Sequence, residues 1–415
     1  MSMLSPYRVL DLTTERGLLC GQMLADMGAD VIKVEPPGGC SARGIGPFYK
    51  DTPHLDRSLY WWAYNRNKRA ITLDIELDAG RDLLRRLVVR ADFLIESHNP
   101  GYLSQRSLGY TDLARINPAL IYVSITPFGQ DGPKATYADS DLILMAAGGP
   151  LILAGDADRP PVRLCVPQAY LHASADAAVA ALAAHHERTR SGLGQQVDVA
   201  AQQSVAMATQ SYILAAPLGS PEARRMSGGV KFGPLEIPLV WPASDGYVAM
   251  TFLFGSALGV FTARLMHFLC ERGFCDEATR DKDWIAYAEQ LFSGAEPLSE
   301  FERVKEVVRK FTRSQTKAEL LELAVERGFL ITPVATVAEV VESPQFASRG
   351  YFQNVAHPEI GESFRYPGPF AKFSATPIEY RRRPPTVGEH NSDIYRDELG
   401  LSEREIAELS RAGIV

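Results

Sequence analysis

Apolar residues along the first third of the chain fall into two alternating textures. Short, nearly continuous runs of aliphatic and aromatic residues at 7–12, 30–34, 71–74, 92–96 and 121–125 read as strands buried on both faces. Between them, residues 18–27 and 80–89 place apolar side chains three and four apart, the spacing of a helix with one buried stripe. Strand, helix and strand within about 30 residues is the unit of a parallel sheet covered by helices. The expected class is therefore α/β, with a Rossmann-like large domain. No GxGxxG turn follows the first strand, so the pattern gives no support to dinucleotide chemistry, although fold and function are separable.

Further along, Ala173, Ala175, Ala177, Ala178, Ala180, Ala181, Ala183 and Ala184 suit a helix, because alanine loses no side-chain entropy there. The Ser191-Gly192-Leu193-Gly194 break ends it, and residues 195–200 read as the next strand. The texture changes after about residue 230: residues 247–252 form one strand pattern, and most of the rest to Glu326 is amphipathic, charged helix. This predicts a smaller α+β domain over 230–330, inserted between the segments 1–229 and 331–415 of the large domain.

Composition narrows the class only modestly. With 415 residues, 46% hydrophobic and 22% charged, the chain has room for two domains of ordinary globular character. A net charge of −7 argues against nucleic acid as a partner. Five cysteines without a CxxC pair give neither a disulfide framework nor a zinc site, and no metal is expected. No apolar run reaches the roughly 20 residues of a membrane span, and the first residues do not read as a signal peptide, so the expected location is the cytoplasm.

The helix, glycine break and strand around 173–200 resemble the core of the class III CoA-transferases, the family of formyl-CoA and carnitine CoA-transferases and 2-methylacyl-CoA racemases. Other segments follow in family order: GGCSARG, NRNKR leading into ITLD, SHNPG, and, from Ile331 on, ITPVATVAEVVESPQF, PGPFAKFSATP and VGEH. The resemblance implies a Rossmann-like large domain, a small inserted domain and two chains interlocked like links. It implies coenzyme A and its thioesters as substrates. The NRNKR segment, residues 65–69, leads into residues 71–74, where the backbone of the LD strand borders the nucleotide in relatives, and Arg43, Leu73, Asp74, Ser97, His98, Arg106 and Lys134 fall at positions that contact CoA. Guanidinium groups suit phosphate because they offer a planar fork of donors. Asp141 matches an acid that helps orient the acyl group.

Two departures stand against that likeness. Where relatives carry an AGP turn after the first strand, this chain has Thr13-Thr14-Glu15-Arg16-Gly17. Counting back 22 residues from Gly192, the family spacing calls for a nucleophilic Asp, and the chain has Tyr170. In the family reaction a carboxylate attacks the donor thioester to form a mixed anhydride. The released thiolate then attacks the enzyme's own acyl carbon, leaving CoA on the protein until an acceptor acid takes it. A phenol has no acyl carbon to hold that thioester. Asp176 lies six residues on, about 9 Å along a helix and mostly round to the other face. Asp156 and Asp158 precede the position in a turn-like loop. The racemase pair fails too: Ser140 stands where its His would fall, and His172 reads as a packing or surface residue.

Three readings remain open at this stage. The chain is a non-catalytic subunit whose Asp-bearing paralogous partner carries the chemistry, as in the heteromeric, succinyl-CoA-dependent benzylsuccinate CoA-transferase of aromatic degradation. Or it is a stand-alone acyl-CoA transferase or racemase with a relocated acid, or a CoA-binding scaffold without catalysis.

Overall fold

The computed structural model describes residues 2–219 and 225–415. Two compact units divide the chain: Met1–Leu151 with Leu164–Ile213 and Gln345–Val415, and Ile152–Arg163 with Leu214–Pro344.

The larger unit is built on six parallel strands, β1 (Arg8–Leu12), β2 (Asp30–Glu35), β3 (Arg69–Thr72), β4 (Phe93–Glu96), β5 (Ile121–Thr126) and β6 (Gln196–Ala200). Their order, β3-β2-β1-β4-β5-β6, is that of the doubly wound nucleotide-binding sheet. Helices α1 (Leu18–Asp26), α2 (Leu59–Tyr64), α3 (Asp78–Val88), α4 (Tyr110–Ile116), α5 (Asp141–Ala147), α6 (Ala169–Ser191) and α7 (Ala201–Ala206) belong to the same unit. The strands alternate between two cores. Val9, Val31, Phe93, Ile95, Ile121 and Val123 pack with α1 and α6 on one face. Leu10, Ile32, Ile71, Leu94 and Tyr122 pack with α3 and α4 on the other, which is why the strand sequences read as continuous apolar runs.

Helix α6 spans 23 residues, and its buried side is almost wholly alanine (Ala169, Ala173, Ala177, Ala178, Ala181 and Ala184). These small side chains let its axis approach the sheet. Gly192 ends it in the left-handed conformation at φ 76°, and the chain turns into β6. The C-terminal segment returns to the open edge of the sheet. Asn391 Oδ1 accepts from Thr72 N–H at 2.9 Å, Tyr395 donates to the Thr72 carbonyl at 2.6 Å, and the Ile414 carbonyl accepts from Asp74 N–H at 2.8 Å. A covered edge is closed to further strand addition.

The smaller unit contains a hairpin, β7 (Gly229–Phe232) with β8 (Leu235–Pro238), and an antiparallel sheet ordered β11-β10-β9 from β9 (Val240–Ala243), β10 (Gly246–Met250) and β11 (Ile331–Pro333). Helices Gly259–Glu271, Leu298–Arg313 and Lys317–Arg327 pack on this sheet around Trp241, Phe252, Phe301 and Phe311. The expected return to the large domain at residue 331 falls too early. Ile331 pairs with Met250, so β11 completes the smaller unit's sheet, and that unit runs on to Pro344.

Candidate active site

In a sheet of this order the strands on either side of the β1/β4 junction run on into diverging loops, and the crevice between those loops is where ligands enter. Here Thr14 N–H donates to Ser97 Oγ at 2.8 Å, so the loop after β1 is tied directly to the loop after β4. Beside this tie lies a cavity of about 130 Å³ lined by Thr13, Thr14, Pro36, Leu73, His98 and Tyr102, among others. Leu73 and Asp74, expected within a strand, lie just past the end of β3, where Leu73 N–H bonds the Glu35 carbonyl at 2.7 Å. Gly80 is required by this turn, because a Cβ there would stand 1.8 Å from the Asp74 carbonyl oxygen.

The structure thus brings Leu73, Asp74, Ser97 and His98 to one crevice. His98 stacks on Tyr102 with ring centroids 4.4 Å apart, and the Arg106 guanidinium stacks on Tyr102 at 3.7 Å. Burial, reinforced by Lys33 and Arg106, lowers His98 to about 4, so the ring is neutral near pH 7. Arg106 forms a bidentate pair with Glu76. Arg43 is placed differently from the expectation that it would meet phosphate. Fully buried, it forks onto Glu35, reaches Asp56 at 2.8 Å and stacks on Trp61 at 3.7 Å, bracing the loop after β2. The cluster at residues 65–69 is buried as well. Lys68 donates to Asp11 at 2.8 Å, and Arg66 pairs with Asp26 at 2.7 Å. Lys134 is exposed in the loop after β5.

Tyr170 lies in the first turn of α6 and is half-buried. Its hydroxyl donates to Asp139 Oδ2. The other Asp139 oxygen takes Arg16 Nη2 at 2.5 Å, and Arg16 Nη1 donates to Asn99 at 2.9 Å. A chain of polar contacts therefore runs from the β4 loop through the β1 loop to Tyr170. Burial, and next the hydrogen bond to Asp139, raise the Tyr170 phenol well above its ordinary range, so it is protonated near pH 7. Asp141 accepts from Gln168 N–H at 2.5 Å and Ala169 N–H at 2.8 Å, which makes it the cap of α6. Asp176 is half-buried farther along α6, His172 is exposed, and Asp156 and Asp158 pair with Arg159 in the smaller unit.

A family model described as CoA-transferase family III matches residues 4–391. The chain belongs to CoA-transferase family III. It is 37% identical over 99% of its length to 98% of the succinyl-CoA:(R)-benzylsuccinate CoA-transferase subunit BbsE of Thauera aromatica. It is 32% identical, over 99% of its length and 98% of the relative, to a succinyl-CoA–D-citramalate CoA-transferase of Chloroflexus aurantiacus. Among solved structures, a CAIB/BAIF family protein from Brucella suis superposes with a TM-score of 0.81 at 27% identity, covering 96% of this chain and all of that one.

Enzymes of CoA-transferase family III act on CoA thioesters. Among the described residues no helix is long and apolar enough to cross a membrane, and no group of three or more His, Cys, Asp or Glu is placed to hold a metal. The sequence reading missed Arg16 and Asp139 as partners of Tyr170. The one signal was the charged Glu15-Arg16 pair in the altered turn after the first strand. It also missed Lys33, which is fully buried and donates to the Asp11 carboxylate at 3.2 Å and to the Thr13 carbonyl beneath the crevice. Burial works against ionisation of Asp11, but Lys33 and Lys68 outweigh it and hold its carboxyl at about 2.

Proposed function

We propose that this chain is the non-catalytic subunit of a heteromeric class III CoA-transferase, interlocked with an Asp-bearing paralogous chain. The complex moves CoA from an acyl-CoA such as succinyl-CoA to an organic acid such as benzylsuccinate. One observation carries the reading: the nucleophile position holds a phenol hydrogen-bonded to Asp139, with the proton held firmly on the phenol. That group has no acyl carbon, so neither the anhydride nor the enzyme–CoA thioester can form on it. The likeness to a relative that is itself named a subunit supports the heteromer, and succinyl-CoA appears in the names of both relatives above.

In this reading the partner's carboxylate attacks the donor thioester and releases CoA thiolate. The thiolate then attacks the partner's acyl carbon, displacing the donor acid and leaving an enzyme–CoA thioester. The acceptor carboxylate expels CoA thiolate from that thioester to form a second anhydride, and the thiolate attacks the acceptor's acyl carbon, releasing acceptor-CoA and the partner's free carboxylate. This chain contributes framework. Arg43 and the Lys33–Asp11–Lys68 cluster fix the loops after β1 and β2, and Asp141 sets the start of α6. For CoA held on this chain, the contact set is the crevice of Leu73, Asp74, Ser97 and His98, with Arg106 at its side and Lys134 outside it. Expression alone and together with an Asp-bearing paralogue tests the assignment: CoA transfer appears only in the co-expressed complex.

A second reading has one contact in its favour. Asp139 touches the Tyr170 hydroxyl, so a stand-alone enzyme with a relocated nucleophile would use Asp139 rather than Asp176. Activity of the isolated chain that is lost in Asp139→Asn would establish it.

A further inference from the structure

On the α3/α4 face of the large sheet, polar positions of three neighbouring strands stand in one row. Glu96 of β4 is in register with Ser124 of β5, and Ser124 with Asp198 of β6. Glu96 is 4% exposed and Ser124 1%. Glu96 Oε2 accepts from His98 N–H at 2.7 Å, and Asp198 Oδ2 accepts from Gln130 N–H at 2.9 Å. Ser124 Oγ lies close enough to Glu96 to favour its anion, yet forms no hydrogen bond of proper geometry with any described residue. Glu96 and Ser124, but not the exposed Asp198, border a chamber of about 90 Å³ whose lining also includes Tyr122, Asn99, Gln130 and Gln196.

Buried charges in folded proteins are paired or bound to ions, and an orphaned buried hydroxyl calls for a partner. Glu96 forms no ion pair among the described residues, and the charge of the exposed Asp198 works against ionisation of Glu96. The chamber is therefore a negative, oxygen-rich space with room for about three water volumes. One buried carboxylate among hydroxyl and amide oxygens carries too little charge for a divalent ion, which favours several carboxylates or retained waters.

We propose that this chamber binds a monovalent cation of sodium to potassium size, ligated by Glu96, Ser124 and oxygens of Tyr122, Gln130 and Gln196. The ion braces the loop after β4, because Asn99 lines the same chamber and holds Arg16 at the candidate active site. The site is independent of which subunit carries the chemistry.

The test uses the full chain in choline chloride, sodium chloride or potassium chloride at equal ionic strength, with crystals soaked in rubidium or thallium salts. The expected result is a saturable rise in Tm of about 2 °C or more in sodium or potassium over choline. That rise should be absent in Glu96→Gln, and an anomalous peak should lie in the chamber. Should Glu96→Gln fail to fold, Ser124→Ala serves and is expected to weaken the ion at least tenfold. A Tm indifferent to the cation, a response retained in both variants, or a chamber without an anomalous peak overturns the proposal.

Discussion

The Tyr170 hydroxyl donates a hydrogen bond to Asp139, and the same carboxylate holds Arg16. Three loops of the large unit converge on this contact, so the position expected to carry a reactive carboxylate instead carries a structural phenol.

Removing that phenol oxygen therefore costs stability rather than chemistry. Tyr170→Phe is expected to lower unfolding free energy by about 1–2 kcal/mol, because Asp139 loses one of two partners. CoA transfer by the proposed complex with a paralogue should stay within about twofold. Urea melts and steady-state rates check both numbers.

Arg16 matters more to the fold. The Asp139 side chain is 7% exposed, and without the guanidinium its charge is left buried and nearly unpaired. Arg16→Gln should cost about 3 kcal/mol. Adding Asp139→Asn should recover part of that loss, as a double-mutant cycle by chemical denaturation would show.

The turn after β3 gives a purely steric prediction. Gly80→Ala drives a methyl group into the Asp74 carbonyl, which is backbone and cannot rotate away. A loss of about 2–3 kcal/mol is expected, with faster hydrogen exchange at Leu73 and Asp74 N–H groups.

Much of this arrangement was legible in the chain. Alternating apolar runs located the five strands from Arg8 to Thr126 to within two residues, because a parallel strand buried on both faces leaves an unbroken apolar signature. The alanine stripe and Gly192 placed α6, and with it Tyr170. What stayed hidden depends on pairing over long sequence distances. Lys68 and Asp11 are 57 positions apart, and Tyr170 and Asp139 are 31 apart. No local pattern tells a lysine that meets phosphate from one buried against a carboxylate. The same applies to Arg43, whose partners Glu35 and Asp56 turn a candidate phosphate ligand into a brace. The short antiparallel strands β7 to β9 also escaped, since four residues are too few to show a period.

Titration of Glu96 gives a pH signature. Burial pushes its carboxyl from 4.5 up to about 7. The folded state therefore holds this proton more tightly than the unfolded chain does. In choline buffer, stability should fall as pH rises from about 4.5 to about 7 and then level off, by up to about 3 kcal/mol. Glu96→Gln should flatten that slope in melts across the same range.

The central claim is that no covalent intermediate forms on this chain. The most direct measurement incubates the complex with acyl-CoA, traps thioesters and anhydrides with borohydride or hydroxylamine, and locates the modified peptide by mass spectrometry. The account predicts a modified aspartate in the partner chain and an unmodified peptide spanning Asp139 to Asp176 here. Turnover by this chain alone, with a reduced or hydroxamate-bearing carboxylate in that peptide, would contradict it.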